Sequence, residues 1–226
     1  MFTDIKDFSR KMGKDEKAAM EILKKHDAMM RVFVAKHGGK VIKSIGDSFM
    51  VDFSSAVKAV KCSIKAQEYF YKHNEDKSDF EKIEIRIGIH LGDVVIVGND
   101  IYGDGVNIAS RIEAITEPNR ICITSDVWSQ VKNKMDLKVY YIGSMELKNI
   151  EEPVEVYEVL LDSIPEFALP SETAKKAPSK RKMEAITNEE ADEAREIEAK
   201  KQKAAGTDQI SEAEKLKLIQ EHYRRA

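Results

Sequence analysis

Val41-Ile42-Lys43-Ser44-Ile45-Gly46-Asp47-Ser48-Phe49-Met50-Val51-Asp52-Phe53 reads as two short strands closing on a two-residue tip. Branched and aromatic side chains run along both arms, and Gly46-Asp47 is a turn dipeptide suited to a hairpin. Upstream, Gly38-Gly39 is a helix stop, because glycine tolerates the left-handed backbone at a helix end. The helix it ends is predicted to start at a Ser9 cap, with Met20, Leu23, Met30, Phe33 and Val34 recurring near the helical period. Downstream, Ser54 or Ser55 opens a second helix through Val57, Val60, Ile64 and Tyr71. The chain begins Met1-Phe2-Thr3-Asp4, as if inside a strand.

Ile83, Ile85, Ile87 and Ile89 alternate strictly, which predicts a strand with one buried face. Residues 93–97 read as its hairpin partner. A helix over 106–115, a strand over 120–124 after Pro118, a short helix near 127–131 and strands over 137–142 and 154–160 complete the pattern. The order β-α-β-β-α-β-β-α-β, mixing hairpins with crossovers, predicts a ferredoxin-like α/β sandwich.

A length of 226 residues holds one good core plus an appendage. A net charge of −3 gives no field that would argue for nucleic acid as the main partner. Cys62 and Cys122 sit in apolar segments without metal-ligand spacing, so they read as buried, reduced thiols, and a reducing, cytoplasmic compartment is expected. No apolar run is long enough to span a membrane, and no signal-peptide core stands at the start. Composition shifts near Pro165. We expect a catalytic domain over 1–162, a linker over 163–186 punctuated by Pro165, Pro170 and Pro178, and a charged helical tail over 187–226. Within the tail, Thr187 to Glu190 and Ser211 to Glu214 are capping-box signatures, and Leu216, Ile219 and Tyr223 form a thin apolar stripe.

The chemistry-bearing residues fall in three places. Asp4 ends the first strand and Asp47 tips the hairpin. If those strands are neighbours, both carboxylates meet at one edge, where hard divalent cations find oxygen ligands. Taken alone, each is ordinary turn chemistry. Lys43 lies on the strand feeding the tip, and by itself it reads as a solvated edge lysine. In Asn99-Asp100-Ile101-Tyr102-Gly103-Asp104-Gly105-Val106-Asn107-Ile108-Ala109-Ser110-Arg111, Asn107 and Arg111 are four apart and share a helix face, while Val106, Ala109 and Ile112 take the opposite, core side. An Asn above an Arg on the first turns of a helix suits an anionic ligand.

In this order and spacing, the pieces resemble the class III adenylyl/guanylyl cyclase catalytic domain. The resemblance is carried by Phe2-Thr3-Asp4-Ile5-Lys6-Asp7-Phe8, Lys43 to Met50, Arg86-Ile87-Gly88-Ile89-His90 with Gly92-Asp93-Val94, the Asp100 to Arg111 stretch, and Leu147-Lys148-Asn149-Ile150 with Pro153-Val154. It covers roughly residues 1–160. It implies an α+β fold with a central, mostly antiparallel sheet and flanking helices.

By the same resemblance, Asp4 and Asp47, with the Ile5 carbonyl, match the ligands of two divalent cations (Mg²⁺ or Mn²⁺). Lys43 and Asp100 match the pair that reads the purine. A lysine donor and a carboxylate acceptor complement adenine, whereas guanine reverses that edge and the guanylyl enzymes carry glutamate and a small polar or thiol residue there. Asn107 matches the residue that orients the ribose, and Arg111 the one that stabilises charge on the α-phosphate. Arg120 and Lys148 align with the cations that hold the terminal phosphates. The implied activity is adenylyl cyclase: ATP to cyclic AMP and pyrophosphate, in sites shared across a homodimer. The alternatives are a catalytically silent ATP-sensing or dimerisation module of the same fold, a guanylyl cyclase, or another palm-type enzyme; against the last, Gly46-Asp47-Ser48-Phe49 stands where a Gly-Gly-Asp-Glu-Phe type of turn would be. Members of the family usually carry an upstream sensor or transducer, and the sequence names neither that partner nor one for the tail.

Overall fold

The computed structural model of the chain describes residues 1–97, 100–161 and 164. Asn99 and, apart from Ile164, which is buried in the main core, everything expected of the linker and tail, including both capping boxes and the Leu216, Ile219 and Tyr223 stripe, lie outside the described residues.

In chain order the elements are β1 (Phe2–Ile5), α1 (Phe8–Lys14), α2 (Glu16–Lys36), β2 (Gly39–Ile45), β3 (Ser48–Phe53), α3 (Ala56–Asn74), β4 (Ile85–Ile89), β5 (Val95–Val97), β6 (Asp100–Tyr102), α4 (Asp104–Ile115), β7 (Ile121–Thr124), α5 (Ser125–Val131), β8 (Lys138–Met145) and β9 (Val154–Leu160). Seven strands form one sheet in the order β2-β3-β1-β4-β7-β9-β8. β4 and β7 run parallel and the other neighbours antiparallel. This is the mostly antiparallel α+β architecture that the sequence predicts.

The isoleucine alternation explains the two layers. Ile85, Ile87 and Ile89 face one side of β4 and are buried with Phe49, Phe70, Ile121 and Ile123 in the main core, beneath α2 and α3. Ile83, also buried there, precedes the strand. The opposite face carries Arg86 and Gly88, and there α4 packs with Ile112 against Cys122, Met145, Leu147 and Val156. Both cysteines are buried and unbridged, and burial pushes each thiol up to about 12.

Three local expectations are corrected. The single long helix from Ser9 is two helices. Asp15 is extended (φ −154°, ψ 95°), and its side chain accepts a hydrogen bond from the Ala18 N–H at 3.0 Å, so a strong N-cap starts a new helix one turn after Gly13 weakens the first. Along α2 the buried seam is Ala19, Ile22, His26, Met30 and Val34, with Met20 outside it. Its end is as expected, with Gly38 at φ 69°. Residues 93–97 do not pair with β4, whose two edges are taken by β1 and β7. Instead β5 forms a separate two-stranded ribbon with β6, matching Val95 to Tyr102 and Val97 to Asp100.

Gly88 sets how closely α4 approaches the sheet. A Cβ there would stand 2.2 Å from the Glu113 backbone nitrogen and 2.7 Å from the Ala109 carbonyl oxygen. Backbone cannot yield as a flexible side chain does. Gly88→Ala is therefore expected to lose about 1–3 kcal/mol or more, read as a lower midpoint in urea unfolding. An unchanged midpoint would contradict this packing.

Candidate active site

Asp4 sits on β1, between β3 and β4, and Asp47 on the tip joining β2 to β3. Gly46 takes φ 60° and lets the chain reverse within two residues, since Ile45 pairs directly with Ser48. The reversal brings the Asp47 carboxylate onto β1, where Oδ2 accepts the Ile5 N–H at 3.0 Å. The two acids, 43 positions apart in the sequence, thus meet at one end of the central strands. Burial, and then the charge of Asp4, push the Asp47 carboxyl up to about 6, against the hydrogen bond from Ile5.

Asp4 is held by Arg86, its cross-strand partner on β4. Arg86 Nε donates to Asp4 Oδ1 at 2.8 Å, and a terminal guanidinium nitrogen bonds the other carboxylate oxygen. Glu113, from α4, stands behind them with Oε1 3.3 Å from the same Nε. Its acidity is strongly weakened, first by burial and then by the negative charge of Asp4, with Arg86 opposing. Sequence reasoning missed the roles of Arg86 and Glu113. The signal was present: Glu113 follows Ala109 by four on the core stripe of α4, a position where an unpaired acid is costly.

Lys43 and Asp100 meet directly. Lys43 Nζ donates to Asp100 Oδ2 at 2.7 Å, while Asp100 Oδ1 accepts its neighbour's N–H from Ile101 at 2.9 Å. The bond from Lys43, then that from Ile101, hold the Asp100 carboxyl below its usual range. A bulge helps to aim the lysine: the β2–β3 register shifts between Val41 and Lys43, so two steps on β2 face one on β3.

On α4, Ala109, Ile112 and Glu113 are buried, whereas Asn107 is exposed and Arg111 half-buried. Among the described residues neither Arg111 nor Lys148 has an ion-pair partner. Lys148 is exposed in the turn after β8. Arg120 is engaged at its guanidinium by Glu158 of β9. Within the single chain, then, Asp4 joins Asp47 and Lys43 joins Asp100, while Asn107, Arg111 and Lys148 are not drawn into either pair.

A model of the adenylate and guanylate cyclase catalytic domain matches residues 1–161. The chain belongs to that family. It is 36% identical over 151 residues to "Putative adenylate cyclase 3" of Rhizobium meliloti (strain 1021), a match covering 66% of this chain and 26% of that protein. The chain thus spans about a quarter of the length of this curated relative. The cyclase fold is seen in the "Adenylate/Guanylate Cyclase/Hydrolase" from Silicibacter pomeroyi, at 31% identity and TM-score 0.63 over 71% of this chain and 94% of that one. It is also seen in the guanylate cyclase domain of RhGC from Catenaria anguillulae in complex with GTP, at 24% identity and TM-score 0.58 over 70% of this chain and 92% of that one. The fold alone therefore does not choose the purine. Among the described residues, no helix of this cyclase domain is long and apolar enough to cross a membrane.

The crowding at Asp47 has a measurable consequence. Its folded-state value of about 6 lies above the ordinary 3.8. The folded chain binds that proton more readily, so the associated stability is full below the ordinary value and is lost as pH rises through about 6. Asp47→Asn keeps an acceptor for the Ile5 N–H and does not titrate. In chelator, its melting temperature should exceed the parent's by a few degrees above about pH 7, a few degrees being about 1 kcal/mol for a chain of this size. The gap should close towards about pH 4–5. Differential scanning calorimetry across that range tests it, and a gap independent of pH would contradict the crowding.

Proposed function

We propose that this cyclase domain is an adenylyl cyclase, converting ATP to 3′,5′-cyclic AMP and pyrophosphate. The observation that carries the reading is the 2.7 Å Lys43–Asp100 contact. It presents one cationic donor and one carboxylate acceptor side by side, as the adenine edge requires: the donor for N1 and the acceptor for the N6 amino group. Against guanine, both partners would face groups of their own kind. A site built for such hydrogen bonds can discriminate by roughly 10⁴–10⁵. The likeness to a protein named as a putative adenylate cyclase adds support.

The residues fit a cation site by their charge. Two carboxylates meet at one end of the central strands, and burial, then the charge of Asp4, raises the proton affinity of Asp47. Carboxylate oxygens are the donors that hard divalent ions prefer, with further oxygens coming from backbone and substrate. Asp4, Asp47 and the Ile5 carbonyl would hold two divalent cations, whose chemistry is to acidify the ribose 3′-hydroxyl and to neutralise the triphosphate.

The chain's own groups do the rest. Lys43 and Asp100 fix the base. Asn107 orients the ribose so that its 3′-oxygen lies in line with the α-phosphorus. Arg111, half-buried on the same helix face, stabilises charge on the α-phosphate, an effect worth about 3–4 kcal/mol for one preorganised donor. Lys148 and Arg120 serve the terminal phosphates. Arg120 would have to share its guanidinium with Glu158. We further propose that the carboxylates of one chain work with the purine and phosphate residues of a second, giving two equivalent sites in a homodimer, and that the catalytic unit ends near residue 162.

Two assays test this. Purified chain with ATP or GTP, and Mg²⁺ or Mn²⁺, should make cyclic AMP in excess. Cyclic GMP as the main product would overturn the base reading, and no cyclic nucleotide from either would favour a silent module. Asp47→Ala and Arg111→Ala chains should each be inactive, and mixing them should restore activity through one intact site per heterodimer. A mixture no better than either variant would refute sharing.

A further inference from the structure

Arg86, whose Nε carries one hydrogen, stands within reach of two carboxylates, giving that hydrogen to Asp4 at 2.8 Å while Glu113 Oε1 waits at 3.3 Å. With Asp4 it makes a two-pronged pair that occupies both carboxylate oxygens. A cation bound by Asp4 needs those same oxygens, so the ion and the guanidinium compete for them. The Arg86 side chain is only 21% exposed and that of Asp4 only 14%, so Arg86 cannot simply swing into water without losing a largely buried partner.

Glu113 answers that problem. Its side chain is 12% exposed, and Oε1 lies 3.3 Å from Arg86 Nε. That oxygen accepts no hydrogen bond among the described residues. It is a buried acceptor beside a donor already in use, where buried polar atoms are normally satisfied. Its placement is built into the backbone: the close approach of α4 at Gly88 seats the Glu113 backbone directly on β4, two residues beyond Arg86. Arg86 thus stands between Asp4, whose oxygens it holds, and Glu113, whose carboxyl burial and then the charge of Asp4 keep a weak acid until the arginine turns to it.

We propose that Glu113 is a positioning residue for the metal site, receiving the guanidinium of Arg86 when Asp4 turns to a cation. Glu113 touches neither substrate nor ion in this scheme. It acts through Arg86, keeping that charge paired and away from the incoming cation. The inference rests on Asp4 being a cation ligand, as proposed above, and adds a residue that the family resemblance did not bring in.

The test is direct binding of Mn²⁺ alone to the full chain, with free ion read from its electron paramagnetic resonance signal and folding checked by thermal melting. Glu113→Gln should weaken Mn²⁺ binding by about tenfold, the order seen when a group supporting a metal ligand is lost. Glu113→Asp should recover part of it. Arg86→Gln should tighten binding by removing the competitor. The double variant should bind like Arg86→Gln alone, because Glu113 then has nothing to receive.

If Glu113→Gln leaves Mn²⁺ affinity unchanged, the inference fails. It fails equally if Glu113→Gln loses the same factor in the Arg86→Gln background, since that is the plain field of a missing charge. Should Glu113→Gln not fold, Arg86→Gln still decides: no tightening overturns the proposal. Failure of the cyclase reading is separate, being absence of cyclic nucleotide while this binding cycle holds.

Discussion

One hydrogen bond organises this site: the Ile5 N–H of β1 reaching the Asp47 carboxylate at 3.0 Å. It ties the tip of a hairpin to a strand that is central in the sheet. By doing so it forces two acids together that would separate if either were free. The sheet supplies the restraint, because β1 is bonded on both sides, to β3 and to β4. Burial, and then repulsion from Asp4, raise the Asp47 carboxyl, a cost that the fold carries. Sites that gather like charge for binding commonly sacrifice some stability in this way.

The face of the sheet opposite the isoleucine core, which Asp4 shares with Arg86, manages that stored charge. Arg86 leaves β4 on the side opposite the isoleucines and meets Asp4 across the strand pair. α4 then closes over it with Glu113, at a distance set by Gly88. Core packing and electrostatics are therefore coupled here: the glycine that permits tight helix-on-sheet contact also brings the third acid to the arginine. A change at Gly88 would reach the charged cluster through the backbone, without touching a charged residue.

Much of this was legible in the sequence. Strict alternation of Ile85, Ile87 and Ile89 announced a buried strand face, and Gly46-Asp47 announced the turn, because both depend on local periodicity and backbone preference. What escaped was what local signals do not encode. The break at Asp15 was hidden inside a continuous helical stripe, where an N-cap competes with helix propagation. The true partner of residues 93–97 depended on which edges of β4 were already occupied, a matter of topology. In the candidate site, the meeting of Asp4 with Asp47 was foreseen only conditionally, and the condition was strand adjacency. Arg86 and Glu113 were overlooked as a pair because their meeting spans the sheet and a helix from distant parts of the chain.

The β5–β6 ribbon stands outside the seven-stranded sheet and carries Asp100 at its edge. Half of the proposed base-reading pair is thus mounted on a small, separate hairpin, whereas the carboxylates that would grip cations are anchored in the main framework. Its partner Lys43 lies on β2, at the outer edge of the seven-stranded sheet, so the proposed base-reading pair joins the ribbon to the margin of the framework rather than to its centre. A change in how the ribbon sits against that margin would therefore alter the pair without moving the carboxylates at the sheet's centre.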